Sequence, residues 1–329
     1  MVTNKTMNKS IELYKNKYWD VSPKRVSIIT PVYNRREELQ RALMSIKNQI
    51  YREIEYIIVN DGSAIDIDDI VLTFMDVVSF PVLYIKKENG GVHTARNIAI
   101  SHARGEMICC CDSDDELLPN AVEILISKWD SIDADKKPLY REICARCVDE
   151  KGNEDGPEFP QGINELPWKK AYKLSNKIGG EHFGFWRRDT LLECPWPEPE
   201  GITFVAECIV WDKLSKKYRS YFVNDAVRVY HKENDESYTR SKKDSIQSIK
   251  NSCWNRAYLI NYWRIDAKPK MPYLKAMISY IVFKQILKRK KVNVKWIKLD
   301  HFVDRFVCFL IWIFVIPISI IYEKKNCDH

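Results

Sequence analysis

No internal repeat, no low-complexity tract and no apolar leader occurs in the 329 residues. The first two absences exclude solenoid and repeat-array architectures. Residues 1–25 are polar and hold no apolar h-region, so they do not read as a secretory signal. Ten cysteines are present without paired spacing: three stand together as Cys109-Cys110-Cys111, and Cys144-x-x-Cys147 has no second CxxC or histidine at finger spacing. A disulfide framework and a zinc finger are set aside, and reduced thiols in a cytosolic compartment are expected. Acidic residues are missing altogether from Ala267 to Leu299, where ten basic residues fall.

A basic tract of that kind suits nucleic acid or an anionic lipid surface. The next segment of the chain favours the lipid. Phe306 to Tyr322 is a run of 17 uncharged residues, FVCFLIWIFVIPISIIY, which at about 1.5 Å each spans about 25 Å against a bilayer core of about 30 Å. Pro317 is able to kink it. Lys275, Lys284, Lys288, Arg289, Lys290 and Lys291 share helices with Met277, Ile278, Ile281 and Phe283. The expectation is a helical, membrane-associated extension over residues 234–329, at the cytoplasmic face of the cell membrane, with anionic lipid and no nucleic acid as partner. A buried helical hairpin or a homodimer through the C-terminal helices is the competing use of the same surface.

Ahead of that region the chain alternates strand and helix. After a polar leader with helical character (1–24), apolar strands are expected at Val26–Thr30, Ile54–Val59, Val82–Ile85 and Met107–Cys111. Helices are expected after Asn34, as N-cap with Glu37 in the capping-box position, over about 92–103, and from Pro119 to Trp129. Strands alternating with helices make a mostly parallel central sheet covered on both faces. Ligands of such sheets sit beyond the carboxyl ends of the strands. Here those ends are Thr30–Asn34, Asn60–Ser63, Asn89–Gly91 and Asp112–Asp115. Residues 25–130 thus form one half of the domain. Residues 131–233, irregular and rich in proline, form a second half suited to a variable second substrate.

Asp112-Ser113-Asp114-Asp115 is the sharpest feature. Three carboxylates at a strand end repel unless a cation or a proton intervenes. A hard divalent cation carrying phosphate oxygens removes the conflict. An acidic helix-capping loop is the plainer reading. The same carboxylates would also serve a nucleotidyltransferase, or remain in a non-catalytic nucleotide-sugar-binding scaffold.

Four blocks in order, VSIITPVYNRREELQRALMSI, IEYIIVNDGS, ENGGVHTARNIAISHARGEMICCCDSDDELLP and GITFVAECIVWDKLSKKY, resemble the inverting GT-A glycosyltransferases of family 2, closely over about 25–120 and loosely to about 232. The resemblance implies a Rossmann-like nucleotide-diphospho-sugar transferase fold. It implies a metal-dependent enzyme moving a sugar from a UDP-sugar to a hydroxyl of a glycan or lipid-linked acceptor, in envelope polysaccharide synthesis. By it, Asp114 holds Mn²⁺ or Mg²⁺, Asp112 approaches the ribose or the metal, and Ser113 lies in the same motif. Asp115 gives support. Asp61 accepts from the pyrimidine ring N–H, although Asn60 stands where the family usually has a second aspartate. Thr30, Pro31 and Tyr33 line the base loop. Gly91, after Gly90, allows close ligand approach. Arg96 contacts the diphosphate or the acidic loop, a structural ion pair being the alternative, and Asn97 ties helix to strand ends. Glu207 is the base that deprotonates the acceptor, with Asp212 as rival. Trp186, Arg187 and Arg188 border the acceptor, and His231 lies near the diphosphate. His93 needs no function.

Overall fold

The computed structural model describes residues 11–20, 24–175, 177–231, 246–265, 270–292 and 299–326. The chain divides into two compact units. The first comprises Met1–Trp196 and Val210–Glu233, the second Pro197–Ile209 and Asn234–His329.

The first unit is built on a nine-stranded sheet. Its strands are β1 (Glu12–Lys15), β2 (Val26–Val32), β3 (Ile54–Asn60), β4 (Val82–Lys86), β5 (Met107–Cys110), β6 (Glu116–Leu117), β7 (Tyr140–Val148), β8 (His182–Arg187) and β9 (Arg219–Val229). They lie in the order β1-β4-β3-β2-β5-β8-β7-β9-β6. The expected parallel sheet is confined to β4-β3-β2-β5. Beyond β5 the sheet is mixed, because β8 runs antiparallel to both β5 and β7 while β7 and β9 are parallel. Apolar residues such as Ile28, Ile29, Ile57 and Ile58 are fully buried on both sheet faces. That is why β2 and β3 read as continuous apolar runs rather than alternating ones.

The helices of this unit are α1 (Arg36–Lys47), α2 (Asp68–Val77), α3 (Val92–His102), α4 (Ala121–Asp130), α5 (Trp168–Ser175) and α6 (Arg188–Glu193); α7 (Cys208–Leu214), directly after Glu207, has its first two residues in the second unit and the rest in the first. Leu39, Ala42, Leu43 and Ile46 of α1 are buried, as their helical spacing requires. Asn34 does not cap α1. The cap position falls on Arg35 and makes no side-chain hydrogen bond. Asn34 instead takes φ 54°, and its Oδ1 accepts from Ala64 N at 2.7 Å, so it fastens the loop after β3. Asparagine tolerates this left-handed backbone better than most residues.

Two elements depart further from expectation. The leader's described part contains a strand, with β1 antiparallel to β4. The stretch from Tyr140 holds a nine-residue strand, β7, buried along its whole length. Its Arg141, Glu142 and Arg146 disguise it as loop, yet each charge has a partner. Arg141 reaches Ser215 Oγ at 2.5 Å and Ser220 Oγ at 3.2 Å, Glu142 accepts from Ser220, and Arg146 donates to Glu154 Oε2 at 2.7 Å.

The second unit contains α8 (Ile246–Ile265), α9 (Lys270–Arg289) and α10 (Phe302–Asn326). Met277, Tyr280, Ile281, Val282, Ile286 and Leu287 of α9 are buried in one cluster with Ile249, Cys253, Ala257 and Ile260 of α8 and Cys308 and Val315 of α10. The apolar residues expected to face lipid on α9 therefore face protein. A polar seam runs between α9 and α10: Ser319 Oγ donates to Gln285 Oε1 at 2.5 Å, and Arg289 Nη2 donates to the Ser319 carbonyl at 3.1 Å.

Among the described residues no helix is long and apolar enough to cross a membrane. This finding corrects the expectation of a membrane-associated C-terminal extension. The anionic membrane partner and the attachment at the cytoplasmic membrane face rested on that extension and are withdrawn with it; the homodimer through the C-terminal helices is withdrawn as well, because the apolar residues of α9 pack on α8 and α10 of the same chain.

Candidate active site

Three strand ends and one helix start build the centre of the first unit. Backbone bonds lock their heights. Asp61 N donates to Val32 O at 2.9 Å, Lys87 N to Asn60 O at 3.0 Å, and Cys111 N to Ile29 O at 3.0 Å. Parallel pairing of β2 with β3 and β5 thus brings residues 31–34, 60–63 and 111–115 to one edge.

The acidic loop closes on itself, with Asp115 N donating to Asp112 O at 3.0 Å. Each of its carboxylates has its own arginine. Arg96 Nη2, from α3, donates to Asp112 Oδ1 at 2.7 Å. Arg35 Nη1 donates to Asp114 Oδ2 at 2.8 Å, and Arg228 Nη1, from β9, to Asp115 Oδ2 at 2.8 Å. The three arginines offset the repulsion that the sequence poses. The carboxylates differ in access: the side chains of Asp112 and Asp114 are 41% and 29% exposed, whereas that of Asp115 is 8% exposed. Burial pushes the Asp115 carboxyl up to about 7 against the pull of Arg228.

The family resemblance implies a divalent cation here. The donor set fits: Asp112 and Asp114 offer hard, solvent-reaching oxygens at one strand end, while buried Asp115 has no free approach. Among the described residues no group of three or more His, Cys, Asp or Glu side chains is arranged to hold a metal. A cation here would therefore complete its shell with diphosphate and water oxygens, as Mg²⁺ commonly does.

Asp61 is buried, at 2% exposure. Its Oδ1 accepts from Gly90 N at 3.0 Å and from Lys87 Nζ, and its Oδ2 accepts from Gly91 N at 2.8 Å. The side chain expected at the base thus fastens the turn that starts α3. These three donors leave an acceptor site on Oδ2 for a further N–H. Gly91 has φ 94° as the residue before α3, a backbone that side chains rarely adopt.

Thr30 and Pro31 are buried in β2. The Thr30 hydroxyl donates to Cys111 O at 2.8 Å and accepts from Tyr56 OH at 3.0 Å, so it joins strand ends. Tyr33 is 49% exposed beside them. Ser113 is buried within the acidic loop. His93, in the first turn of α3, is buried with no hydrogen-bond partner for either ring nitrogen. Burial pushes its imidazole down to about 4.

Asn97 clamps the backbone of one residue, donating to Trp196 O at 2.8 Å and accepting from Trp196 N at 3.0 Å. The Arg96 guanidinium lies 5.8 Å from the Trp196 ring. Trp186 is buried and stacked on Trp211 at 3.8 Å, so it belongs to the core. Arg187 donates to the carbonyls of Pro138 at 3.0 Å and Tyr140 at 3.1 Å. Arg188 starts α6 with its backbone bonded to Glu106 O at 3.0 Å. His231 donates from Nε2 to Glu116 Oε1 at 2.7 Å and so joins β9 to the end of the acidic loop.

Glu207 lies in the second unit, half-buried just before α7, and Asp212 lies within α7 in the first. Two buried asparagines one turn apart on α8 hold the segment leading to Glu207. Thr203 N donates to Asn251 Oδ1 at 3.0 Å, and Ala206 N to Asn255 Oδ1 at 2.8 Å. Sequence reading missed both, along with Arg35, Lys87 and Arg228. The available signal was an i, i+4 asparagine pair on one face of α8.

Among the described residues no two cysteines are joined in a disulfide. Burial holds the Cys109, Cys111 and Cys144 thiols well above their usual range, which leaves them unreactive.

A mixed Rossmann-like sheet with carboxylates at its strand ends is the GT-A class of architecture. Residues 27–136 match the family model described as glycosyl transferase family 2, and this part of the chain belongs to that family. The chain is 27% identical over 210 residues to the GalNAc(5)-diNAcBac-PP-undecaprenol beta-1,3-glucosyltransferase of Campylobacter jejuni, covering 63% of this chain and 64% of that protein. It is 26% identical over 306 residues to the minor teichoic acid biosynthesis protein GgaA of Bacillus subtilis, covering 84% of this chain and 66% of that one. With glycosyltransferase GlyA of Streptococcus pneumoniae it shares 36% over 111 residues, 34% of this chain and 16% of GlyA. The chain thus spans less than two thirds of each of these relatives. The crystal structure of S. aureus TarS 1-349 in complex with UDP-GlcNAc superposes with a TM-score of 0.52 at 16% identity, over 80% of this chain and 73% of that one. At that identity the likeness is one of fold.

Proposed function

We propose that the chain is a metal-dependent inverting glycosyltransferase. It takes a UDP-sugar as donor and a hydroxyl of a glycan or lipid-linked acceptor, in synthesis of a cell-envelope polysaccharide. The observation that carries the reading is the pair of solvent-reaching carboxylates, Asp112 and Asp114, each matched to an arginine at the strand ends of a family 2 domain. The names of the Campylobacter and Bacillus relatives support an envelope setting, and the first supports a lipid-linked acceptor.

In this mechanism Asp112 and Asp114 would hold Mn²⁺ or Mg²⁺, which would supply positive charge to the departing diphosphate. Arg96 and Arg35 keep the two carboxylates oriented until the donor arrives, and each guanidinium can then turn toward phosphate oxygens. Tyr33 presents an exposed ring to the base. Glu207 takes the proton of the acceptor hydroxyl. The acceptor oxygen forms its bond to the anomeric carbon as the bond from that carbon to the diphosphate breaks. UDP leaves, and the anomeric configuration inverts. Asn251 and Asn255 fix the approach of the chain to Glu207.

The test is a donor screen that reads UDP release from UDP-glucose, UDP-galactose, UDP-N-acetylglucosamine and UDP-glucuronate, with membrane lipid extract as acceptor and with or without Mn²⁺. Metal-dependent release from one donor is expected. Release of sugar 1-phosphate instead, by cleavage between the two phosphorus atoms, would identify a nucleotidyltransferase. Glu207→Gln should lower kcat on the order of 1000-fold while sparing donor binding, as loss of a general base does. Unchanged turnover would remove Glu207 from the mechanism.

A further inference from the structure

The acidic loop has a support that its own sequence does not reveal. Arg228 sits on β9, opposite Leu117 in the β6–β9 register, and is 8% exposed. Its three nitrogens engage three different groups. Nη1 donates to Asp115 Oδ2 at 2.8 Å, Nη2 to Glu181 Oε2 at 3.3 Å, and Nε to Cys147 Sγ at 3.3 Å. The guanidinium also lies 5.0 Å from the ring of Phe183 and 5.3 Å from that of Tyr230. Only a planar fork with donors in three directions fills this position, and lysine does not match it.

Asp115 is bonded directly to Asp114, and its amide donates to the Asp112 carbonyl at 3.0 Å. Any shift of Asp115 is therefore passed to the two carboxylates that reach solvent. Leu118 N donates to Val227 O at 2.9 Å, so the same part of β9 also grips the loop's far end. A buried charge that loses its partner is left uncompensated in a low-dielectric site and must move or take a proton.

We propose that Arg228 is a positioning residue that sets the Asp112–Asp115 loop in the geometry needed to hold a divalent cation together with a nucleoside diphosphate. The proposal rests on the functional reading above. It assigns to a strand outside the 27–136 domain match a share in the donor site. Arg228 touches neither donor nor metal; it acts through Asp115.

Calorimetric titration with UDP, once with saturating Mn²⁺ and once with EDTA, tests it on the full chain. The wild type should bind UDP more tightly with Mn²⁺. In Arg228→Met that metal-dependent gain should fall by about 10-fold to 100-fold, the range known for residues that orient metal ligands, while UDP affinity in EDTA changes by less than about 2-fold. Arg228→Lys, which keeps the charge without the fork, should restore only part of the gain. Should Arg228→Met fail to fold, Asp115→Asn, equal in shape, carries the same comparison. A full metal-dependent gain in a folded variant overturns the proposal. So does a loss shared equally by both titrations and tracking the melting temperature, because that marks a structural role alone. A wild type that binds no UDP under either condition overturns the functional reading instead.

Discussion

Arg96 Nη2 lies 2.7 Å from Asp112 Oδ1 and 3.0 Å from Asp112 Oδ2, so a single guanidinium nitrogen from the first turns of α3 spans the whole carboxylate. The side chain of Arg96 is buried while that of Asp112 is partly open. Charge is thus held at the rim from within, and the outer side of the carboxylate stays available. Asp112→Asn and Asp114→Asn each remove a hard anionic donor with little change of shape. Each should lower Mn²⁺-dependent UDP release on the order of 100-fold and leave the circular-dichroism spectrum unchanged. Activity within a few-fold of wild type in both variants would dissociate these carboxylates from the reaction.

Lys87 and Asp61 form an ion pair with both side chains almost wholly out of solvent. Lys87→Met leaves the Asp61 carboxylate with only the Gly90 and Gly91 amides. Loss of one partner from a buried pair costs about 3–5 kcal/mol, and urea denaturation should register a loss of that order. Lys15→Met, at the exposed pair with Asp20, should leave the midpoint where it is. Equal effects of the two substitutions would contradict the difference in burial as the cause.

Acid should weaken the first unit partly through His93. Burial pushes its imidazole from 6.5 down to about 4, with Asp61 pulling it up and Lys87 and Arg96 pushing it further down. Between those two values the unfolded chain holds a proton that the native chain does not. The stability contributed by the neutral ring is therefore complete above about pH 6.5 and is lost as the pH falls toward 4, by up to about 3 kcal/mol. His93→Gln should show a shallower fall in urea midpoint between these pH values than the wild type. The same slope in both would exclude His93 as a source of acid sensitivity.

Gly62 sits at φ 73°, and a Cβ there would lie 2.6 Å from the backbone nitrogen of Asn89. Gly62→Ala must strain the turn after β3 and push away the segment that carries Gly90 and Gly91. A stability loss of about 1–3 kcal/mol is expected, together with a raised KM for the donor. Gly152 also has positive φ but open space around it, so Gly152→Ala should leave that KM unchanged.

The parts most legible in the sequence are those whose burial is uniform. Strands β2 and β3 are covered on both faces, so Ile28, Ile29, Ile57 and Ile58 announce them directly. The acidic loop was legible because its residue types are costly together. Of its supports, Arg96 was expected at the loop, whereas Arg35 and Arg228 were not, since they come from a helix cap and a distant strand. Strand β7 was hidden because Arg141, Glu142 and Arg146 look solvent-bound until β9 and the loop at Glu154 meet them. In α10 the uncharged run concealed Ser319, whose hydroxyl and carbonyl are bonded to Gln285 and Arg289 of α9. Hydropathy along one helix carries no information about which neighbour will cover it.

Strand β1 is four residues long, exposed, and carries Glu12 and Lys15. It lies along β4, whose Val82, Leu83, Tyr84 and Ile85 are buried. A chain begun at residue 25 would present that apolar row with its unpaired amides and carbonyls, a template for stacking one molecule onto the next. Such a truncated protein should form aggregates at concentrations where the full chain stays dispersed in light scattering. The short leader strand then works as a bumper against self-templating, a task separate from any sugar chemistry.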